Sequence, residues 1–147
     1  LNDNEASLKQ CFYGEYLLSF DPSKEKGVAI VESEKTAIIA SVYFPEHIWL
    51  ATGGSNGCKW TERDVCKVLS GRRVTLFPDL GLYETWKDKG RLIANVANCN
   101  VHTSDFLERI ATEEERINGL DIADYLLRNR DSSGLALSEA GYPLFWD

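Results

Sequence analysis

The sequence contains no methionine, although it has 147 residues and begins at Leu1. A complete natural chain starts with methionine, so we expect this sequence to be one domain of a longer protein. It also lacks any apolar run close to the about 20 residues that a membrane-spanning helix needs. Its first ten residues are mostly polar and acidic, which does not resemble a secretion signal. We therefore expect no membrane contact and a cytoplasmic location.

The chain has fewer basic residues than acidic residues. The chain has 16 Lys and Arg residues against 23 Asp and Glu residues, which gives a formal charge of −7. Proteins that bind nucleic acids usually present a basic face, because much of their affinity comes from contacts with phosphates. The isolated chain is therefore not expected to bind DNA tightly. The acidic residues either gather at a site for a divalent cation or form a solvated surface that keeps the protein soluble.

Cysteine pairs with metal-binding spacing are missing. No two of the four cysteines form a C-x-x-C motif, and the two histidines are not at zinc-finger spacing from them. These residues are Cys11, Cys58, Cys66, Cys99, His47 and His102. We expect reduced and mostly buried thiols, as in a cytosolic protein, and no zinc site.

Short apolar runs rich in β-branched residues alternate with segments that have helical spacing. Strands are predicted at residues 28–31, 47–51, 73–77 and 99–102. Helices are predicted at 8–18, 33–44, 59–71, 83–97, 104–110 and 120–129. This alternation predicts an α/β fold with a mostly parallel four-stranded sheet and helices on both faces. We expect one domain over residues 8–130 and a C-terminal tail, residues 131–147, that packs on it.

Acidic residues and a glycine-rich loop follow three of the predicted strands. Glu32 follows the first strand, the loop TGGSNG (52–57) follows the second, and Asp79 follows the third. In parallel sheets, working sites lie beyond the carboxyl ends of the strands, near a switch in strand order. The structural alternatives are an acid at a helix N-terminus for Glu32 and a turn-forming aspartate for Asp79.

Each of these segments has a chemical interpretation. Asp79 is a candidate ligand for Mg²⁺, which prefers one or two carboxylates together with waters and phosphate oxygens. Gly53, Gly54 and Gly57, with Lys35, are candidate phosphate-binding residues, because glycines let backbone N–H groups approach an anion closely. A tight loop that only connects the second strand to the next helix, without binding a ligand, explains the glycines equally well. The spacings of a Walker A loop and of the dinucleotide-binding fingerprint are both absent.

Asp121 and Asp124 form a second pair of acids near the end of the chain. They are three residues apart in a predicted helix, so they lie on the same face. They are either additional metal ligands or the N-cap and the first-turn acid of that helix. The sequence alone leaves both interpretations open.

Taken together, these blocks resemble the Toprim family of primases, topoisomerases and nucleases. VAIVESEKTAIIAS (28–41) resembles its strand that ends in Glu, ATGGSNG (51–57) its glycine block, and VTLFPDLG (74–81) its third strand with D-x-D. GLDIADYLL (119–127) is similar to the acidic segment that closes many primase-type domains. CFYGEYLL (11–18) is similar to the lead-in of phage-type primases. Within the superfamily, the chain resembles a Toprim-like family of unknown function from primase-like proteins of bacterial mobile elements.

The resemblance implies a Rossmann-like fold and a Mg²⁺-dependent nucleotidyl-transfer site. Glu32 would be the general acid or base, and Asp79 with Asp121 and Asp124 would hold Mg²⁺. Nucleic acid would be the partner in the context of the full-length protein. The sequence departs from D-x-D, because Gly81 stands where the second Asp is expected, and Glu84, Asp121 or Asp124 could replace it by position.

Two other functions fit the same residues. The first is a Toprim-like scaffold without catalysis, which positions DNA or protein partners and whose acids are splayed apart or paired with Lys35 and Arg73. The second is a receiver-like domain with Asp79 as phosphoacceptor. The receiver-like hypothesis requires paired acids after the first strand and a fifth strand followed by a lysine, and the sequence predicts no fifth strand.

Overall fold

The computed structural model describes residues 9–128, which form a three-layer α/β/α fold. The strands are β1 (Val28–Val31), β2 (Ile48–Ala51), β3 (Arg73–Leu76) and β4 (Asn100–Thr103). The α-helices are α1 (Glu34–Tyr43), α2 (Arg63–Cys66), α3 (Tyr83–Ala97), α4 (Phe106–Ile110), α5 (Glu113–Asn118) and α6 (Ile122–Arg128). Two 3₁₀ helices span Glu15–Phe20 and Lys67–Leu69. The predicted tail, residues 131–147, lies outside the described residues.

The four strands form one sheet in which every pair is parallel, in the order β2-β1-β3-β4. This confirms the predicted α/β class and gives a Rossmann-like architecture. The chain moves from β1 outward to β2 and then crosses to β3 on the other side of β1. The strand order therefore switches direction between β1 and β3, which is where such folds open a crevice for ligands.

Alternate side chains of the strands enter two separate hydrophobic cores. Val28 and Ile30 of β1 pack toward α3 and the 3₁₀ helices, whereas Ala29 and Val31 pack toward α1 and α6. All four residues of β1 are buried, as are all four of β2. Strands covered on both faces read as continuous apolar runs, and this is why the sequence pattern identified them.

The predicted helix over residues 8–18 is wrong. Tyr13 instead forms an antiparallel bridge with Ala51 at the edge of β2, with backbone hydrogen bonds of 2.9 and 3.2 Å. Gly14 then turns the chain with a φ of 81°, and the 3₁₀ helix follows. A side chain at Gly14 would lie 2.9 Å from the carbonyl oxygen of Trp49, so the close approach to β2 requires glycine here.

The predicted helix over residues 59–71 is shorter than expected, because only residues 63–69 are helical, as α2 followed by a 3₁₀ turn. The helices predicted over 33–44 and 83–97 are confirmed by α1 and α3. Ser33 is the N-cap of α1, as its side chain accepts a hydrogen bond from the backbone of Thr36. In the part of the chain that the structure describes, no helix has the length and apolar character that crossing a membrane requires.

Candidate functional site

The predicted acidic residues Glu32 and Asp79 meet at the switch in strand order. Glu32 directly follows β1 and Asp79 lies three residues after β3, and these two strands are hydrogen-bonded neighbours. The pairing continues past the end of β3, where the backbone N–H of Phe77 donates to the carbonyl oxygen of Ile30 at 2.9 Å. Both acids therefore leave the sheet at the same edge, between the two helical layers.

The backbone around Glu32 is held on its other side by the segment after β2. The N–H of Thr52 donates to the carbonyl oxygen of Val31 at 3.0 Å, and the N–H of Gly53 donates to that of Glu32 at 2.8 Å. Glu32 is half-buried, and the position of a β-carbon on Gly54 would be 3.7 Å from its Oε1. A β-carbon at Gly54 would therefore make an ordinary van der Waals contact with the carboxyl group, while the φ of 77° at this position favours glycine.

The carboxyl group of Asp79 is in an unusual electrostatic environment. Burial, a side-chain hydrogen bond with Glu32 and the charge of Glu32 raise the pKa of Asp79 to about 8, with further contributions from Asp121 and Asp124. Two carboxyl groups in contact favour the protonated form of one of them, because like charges at short range repel. At neutral pH the pair of Glu32 and Asp79 therefore holds one proton that an ordinary aspartate would release.

The segment that carries Asp121 and Asp124 joins this edge through a backbone contact. The N–H of Leu80, directly after Asp79, donates to the carbonyl oxygen of Leu120 at 2.8 Å. This contact brings the start of α6 beside the loop that follows β3. The Toprim hypothesis predicted that Glu32, Asp79 and one of Asp121 or Asp124 would converge, and both Asp121 and Asp124 lie close enough to raise the pKa of Asp79.

Asp121 and Asp124 also cap the start of α6 reciprocally. The N–H of Asp124 donates to Oδ1 of Asp121 at 2.8 Å, and the N–H of Asp121 donates to Oδ2 of Asp124 at 3.3 Å. This is the geometry of a capping box, with acids at both positions. Both interpretations of the pair, as helix caps and as part of the acidic cluster, therefore describe the same side chains.

A buried threonine from α1 completes the environment of Asp121. The Oγ1 of Thr36 donates to Oδ2 of Asp121 at 3.1 Å and also lies 2.7 Å from Oγ of Ser33. Both oxygens of Asp121 therefore already have donors, whereas Asp124 has one oxygen without a donor among residues 9–128. Sequence reasoning missed this role of Thr36, because the bond joins two segments that are far apart in the chain.

Two of the three glycines predicted to bind phosphate have amides that bond within the protein. The N–H of Gly53 donates to Glu32, and the N–H of Gly57 donates to the carbonyl oxygen of Gly54 at 3.0 Å. A β-carbon at Gly57 would lie 2.0 Å from the carbonyl oxygen of Thr52, so this position admits only glycine. The arrangement shows that the loop positions Glu32; its role in phosphate binding stays a prediction.

Within residues 9–128, none of the other residues named from the sequence forms an ion pair with Glu32 or Asp79. Lys35 is exposed on the first turn of α1, and Arg73 donates to the carbonyl oxygen of Glu25 near the opposite end of the sheet. Glu84 is exposed in the first turn of α3. At the position of the missing second aspartate, the N–H of Gly81 donates to Oε1 of Glu108 at 2.7 Å. Glu108, which sequence reasoning missed, is also paired with Arg116.

No ion pair neutralises this cluster within residues 9–128. Glu32, Asp79, Asp121 and Asp124 are absent from every salt bridge of the described chain. Residues 9–128 contain no group of three or more His, Cys, Asp or Glu side chains arranged to hold a metal ion by themselves. The site is therefore a close pair of carboxyl groups with two acids nearby, and not a closed protein cage for a cation.

The fold and this edge define a Rossmann-like α/β domain with a pair of acids at its topological switch point. The chain belongs to a family described as a domain of unknown function, DUF6371, whose model matches residues 1–80. That match includes Glu32, the glycine loop and Asp79, but it ends before Asp121 and Asp124. No curated protein and no solved structure matches the chain.

Proposed function

We propose that this chain is a Toprim-like domain of a primase-like protein from bacterial mobile elements, with a Mg²⁺-dependent site for nucleotidyl transfer. The observation that supports this most is the contact between the carboxyl groups of Glu32 and Asp79 at the switch between β1 and β3. Perturbed acids in a crevice at this position are typical of functional sites. Glu32 follows β1, the glycine loop follows β2 and Asp79 follows β3. This order agrees with the resemblance of the sequence to the Toprim family.

The residues present fit a Mg²⁺ ion with an open coordination sphere. The paired carboxyl groups lack a positive partner among residues 9–128, and the pKa of Asp79 is raised largely by burial and by Glu32. A divalent cation would relieve that repulsion by replacing the shared proton. Mg²⁺ commonly uses only one or two protein carboxylates and takes its other ligands from water and substrate phosphates. Two carboxylates supplied by the protein are therefore enough for a site that the substrate completes.

Each residue has a defined part in the proposed chemistry. Asp79 would bind the cation, and Asp124, which retains a carboxylate oxygen without a donor among residues 9–128, would bind it directly or through water. Glu32 would accept or donate the proton at the reacting hydroxyl, as its carboxyl group contacts that of Asp79. When bound, the metal would supply the positive charge that stabilises oxygens at the transferred phosphate.

The partner of this site would be nucleic acid, held in the context of the full-length protein. The net charge of −7 means that this chain by itself offers little counterion release to a phosphate backbone. Basic contacts would therefore come from other parts of the parent protein, while this domain contributes the acidic site.

A scaffold without catalysis is the second candidate, and one observation favours it. Both oxygens of Asp121 and one oxygen of Asp124 are used to cap α6 and to tie it to α1. Carboxylates used in this way stabilise the fold and need no metal. In that case the acidic edge would be a remnant of the catalytic arrangement, and the domain would serve to position partners.

Calorimetric titration of Mg²⁺ and Mn²⁺ into the full chain tests the proposal. We expect saturable binding that is lost in the double variant Glu32→Gln, Asp79→Asn. The control is Glu113→Gln, Asp88→Asn, which makes the same two substitutions at exposed positions and removes at least as much negative charge. Unchanged binding in the control would show that the loss reflects the site and not the overall charge.

The same titration can reject the proposal. Equal heats in the wild type and in the Glu32→Gln, Asp79→Asn variant would contradict a metal site at this edge. The scaffold hypothesis would then be favoured. If the metal binds, primer-synthesis and nuclease assays with the full-length parent protein follow, with the Glu32→Gln variant as the inactive reference.

A further inference from the structure

β4 forms one outer edge of the sheet, next to β3, and among residues 9–128 its outer side has no partner strand. The N–H groups of Asn100 and Ser104 donate to carbonyl oxygens of Arg72 and Leu76 at 3.0 and 2.9 Å. Because successive residues of a strand point in opposite directions, the backbone groups of Val101 and Thr103 face outward.

A groove runs beside this edge, between β4 and α3. Its volume is about 280 Å³, and its lining includes Tyr83, Lys87, Arg91, Val101 and Thr103. Gly90 forms part of the floor, where a β-carbon would lie 2.9 to 3.2 Å from Leu76, Thr103 and Val101. The missing side chain lets α3 lie close to the sheet and keeps its two basic residues beside the edge strand.

The groove is basic in a protein that is otherwise acidic. None of the residues that line it is Asp or Glu, although the chain has 23 acidic residues. Lys87 lies over the ring of Tyr83 at 5.3 Å, and Arg91 is mostly exposed with one weak contact to Asp88 at 3.4 Å. An exposed pair of this kind contributes little energy, so Arg91 can readily exchange Asp88 for another carboxylate.

We propose that this edge binds an extended acidic peptide segment, which adds to β4 as a fifth strand. Strand addition satisfies the outward backbone groups of Val101 and Thr103, and alternate side chains of the added strand then face α3. Lys87 and Arg91 are four residues apart on one helix face, which separates them by about 6 Å along the axis. Side chains two apart on a strand are about 6.6 Å apart, so acids at alternate positions match the two cations.

This site is separate from the proposed nucleotidyl-transfer site and does not depend on it. The outward backbone groups favour a peptide over a nucleic acid, because phosphates would contact Lys87 and Arg91 but leave Val101 and Thr103 unpaired. Exposed strand edges are costly features that proteins normally cover, and β4 ends the sheet without a bulge or proline among its four residues.

Fluorescence anisotropy with a labelled peptide tests this proposal. The probe is a peptide of about eight residues in which glutamate and threonine alternate, and the comparison peptide carries lysine in place of glutamate. We expect saturable binding of the acidic peptide alone. The variant Lys87→Glu, Arg91→Glu should weaken it by about tenfold or more. The variant Lys59→Glu, Lys67→Glu, with the same charge change at two exposed lysines elsewhere, should weaken it far less.

Backbone methylation of the peptide separates strand addition from simple charge attraction. One form carries N-methyl groups on one alternate set of amides, and a second form carries them on the other set. Only one set can face β4, so one form should keep its affinity and the other should lose it. Equal affinity of the two forms would overturn strand addition. Displacement by an oligothymidylate that binds more tightly would overturn the choice of a peptide, and unchanged binding to the Lys87→Glu, Arg91→Glu variant would overturn the site itself.

Discussion

The Oγ1 of Thr36 donates a 3.1 Å hydrogen bond to Oδ2 of Asp121, which joins two residues that are 85 positions apart. Thr36 is buried, with 1% of its surface exposed, and it lies in the first turn of α1. Asp121 starts α6 beside Asp79. This one bond therefore ties the helix that follows Glu32 to the segment that adds two further acids to the candidate site.

Replacing Thr36 with valine should destabilise the protein, because valine keeps the shape of threonine but cannot donate to Asp121. A buried hydrogen bond to a charged group contributes about 1.5–3 kcal/mol, so we expect a loss of that size in the free energy of unfolding. Urea denaturation measures it. Thr36→Ser keeps the hydroxyl group and should therefore retain most of the stability of the wild type. Thr85→Val, on the exposed face of α3, should change the free energy of unfolding by less than about 0.5 kcal/mol. An equally large effect at Thr85 would contradict the interpretation.

The Thr36–Asp121 bond also shows which features of the site could be predicted from the sequence and which could not. Glu32 was predicted because it follows a fully apolar, β-branched run, and Asp79 because it follows a mainly apolar run of similar length; such runs indicate parallel strands. That Asp121 and Asp124 approach Asp79 depends on Leu80 bonding to Leu120 and on Thr36, which are contacts between distant segments. Local patterns carry no information on such pairings, so only the resemblance to a family suggested them.

The segment before β1 could not be predicted for a similar reason. Its apolar spacing favours a helix, but the bridge between Tyr13 and Ala51 uses the backbone of residues that a helix would otherwise occupy. The glycine loop shows a further limit. Its composition suits a phosphate site, yet composition does not reveal that the N–H of Gly53 bonds to Glu32. Tertiary contacts decide the outcome in both cases.

Asp79 should make the stability of the protein depend on pH. Its pKa in the folded chain is about 8, against an ordinary 3.8, so the folded state keeps a proton that the unfolded state releases. The free energy of unfolding should therefore fall as pH rises from about 4 to about 8. Asp79→Asn cannot ionise and should remove most of this decline. Since the carboxyl group keeps some contact with water, we expect a gain of about 1–2 kcal/mol at pH 8.

Urea denaturation in EDTA at several pH values between 4 and 9 measures this effect. The matched control is Asp88→Asn, which removes an exposed carboxyl group of α3 and should leave the pH dependence of the wild type unchanged. A decline of the same size in Asp79→Asn would mean that another group holds the proton.

The Gly57→Ala variant should disturb the loop that holds Glu32. An alanine β-carbon would lie 2.0 Å from the carbonyl oxygen of Thr52 and 2.6 Å from the carbonyl carbon of Gly53, so the loop must move. Thr52 and Gly53 both donate hydrogen bonds to the backbone carbonyl oxygen of Glu32. We expect a loss of about 2–3 kcal/mol in unfolding free energy, measured by urea denaturation. If the proposed metal site is present, cation affinity should fall as well. Ser55→Ala in the same exposed loop should affect neither quantity.

The Gly90→Ala variant sets two effects against each other within α3. Alanine is more favourable than glycine in a helix by about 1 kcal/mol. Its β-carbon, however, would lie 2.9 Å from Cδ1 of Leu76, 3.1 Å from Oγ1 of Thr103 and 3.2 Å from Cγ1 of Val101. Overpacking of a tight core costs about 1–3 kcal/mol, and three close contacts place this case toward the upper end. We therefore expect a net loss of about 1–2 kcal/mol in unfolding free energy.

Thermal and urea unfolding of the Gly90→Ala variant decide which effect is larger. Asn95→Ala, at an exposed position of the same helix, gives the helix-propensity gain without any contact with the sheet, and it should stabilise slightly. If Gly90→Ala stabilises as much as Asn95→Ala, the approach of α3 to β4 is looser than the contacts around Gly90 indicate. In that case the groove that we propose for an acidic peptide would be wider than the structure shows, and Lys87 and Arg91 would lie farther from β4.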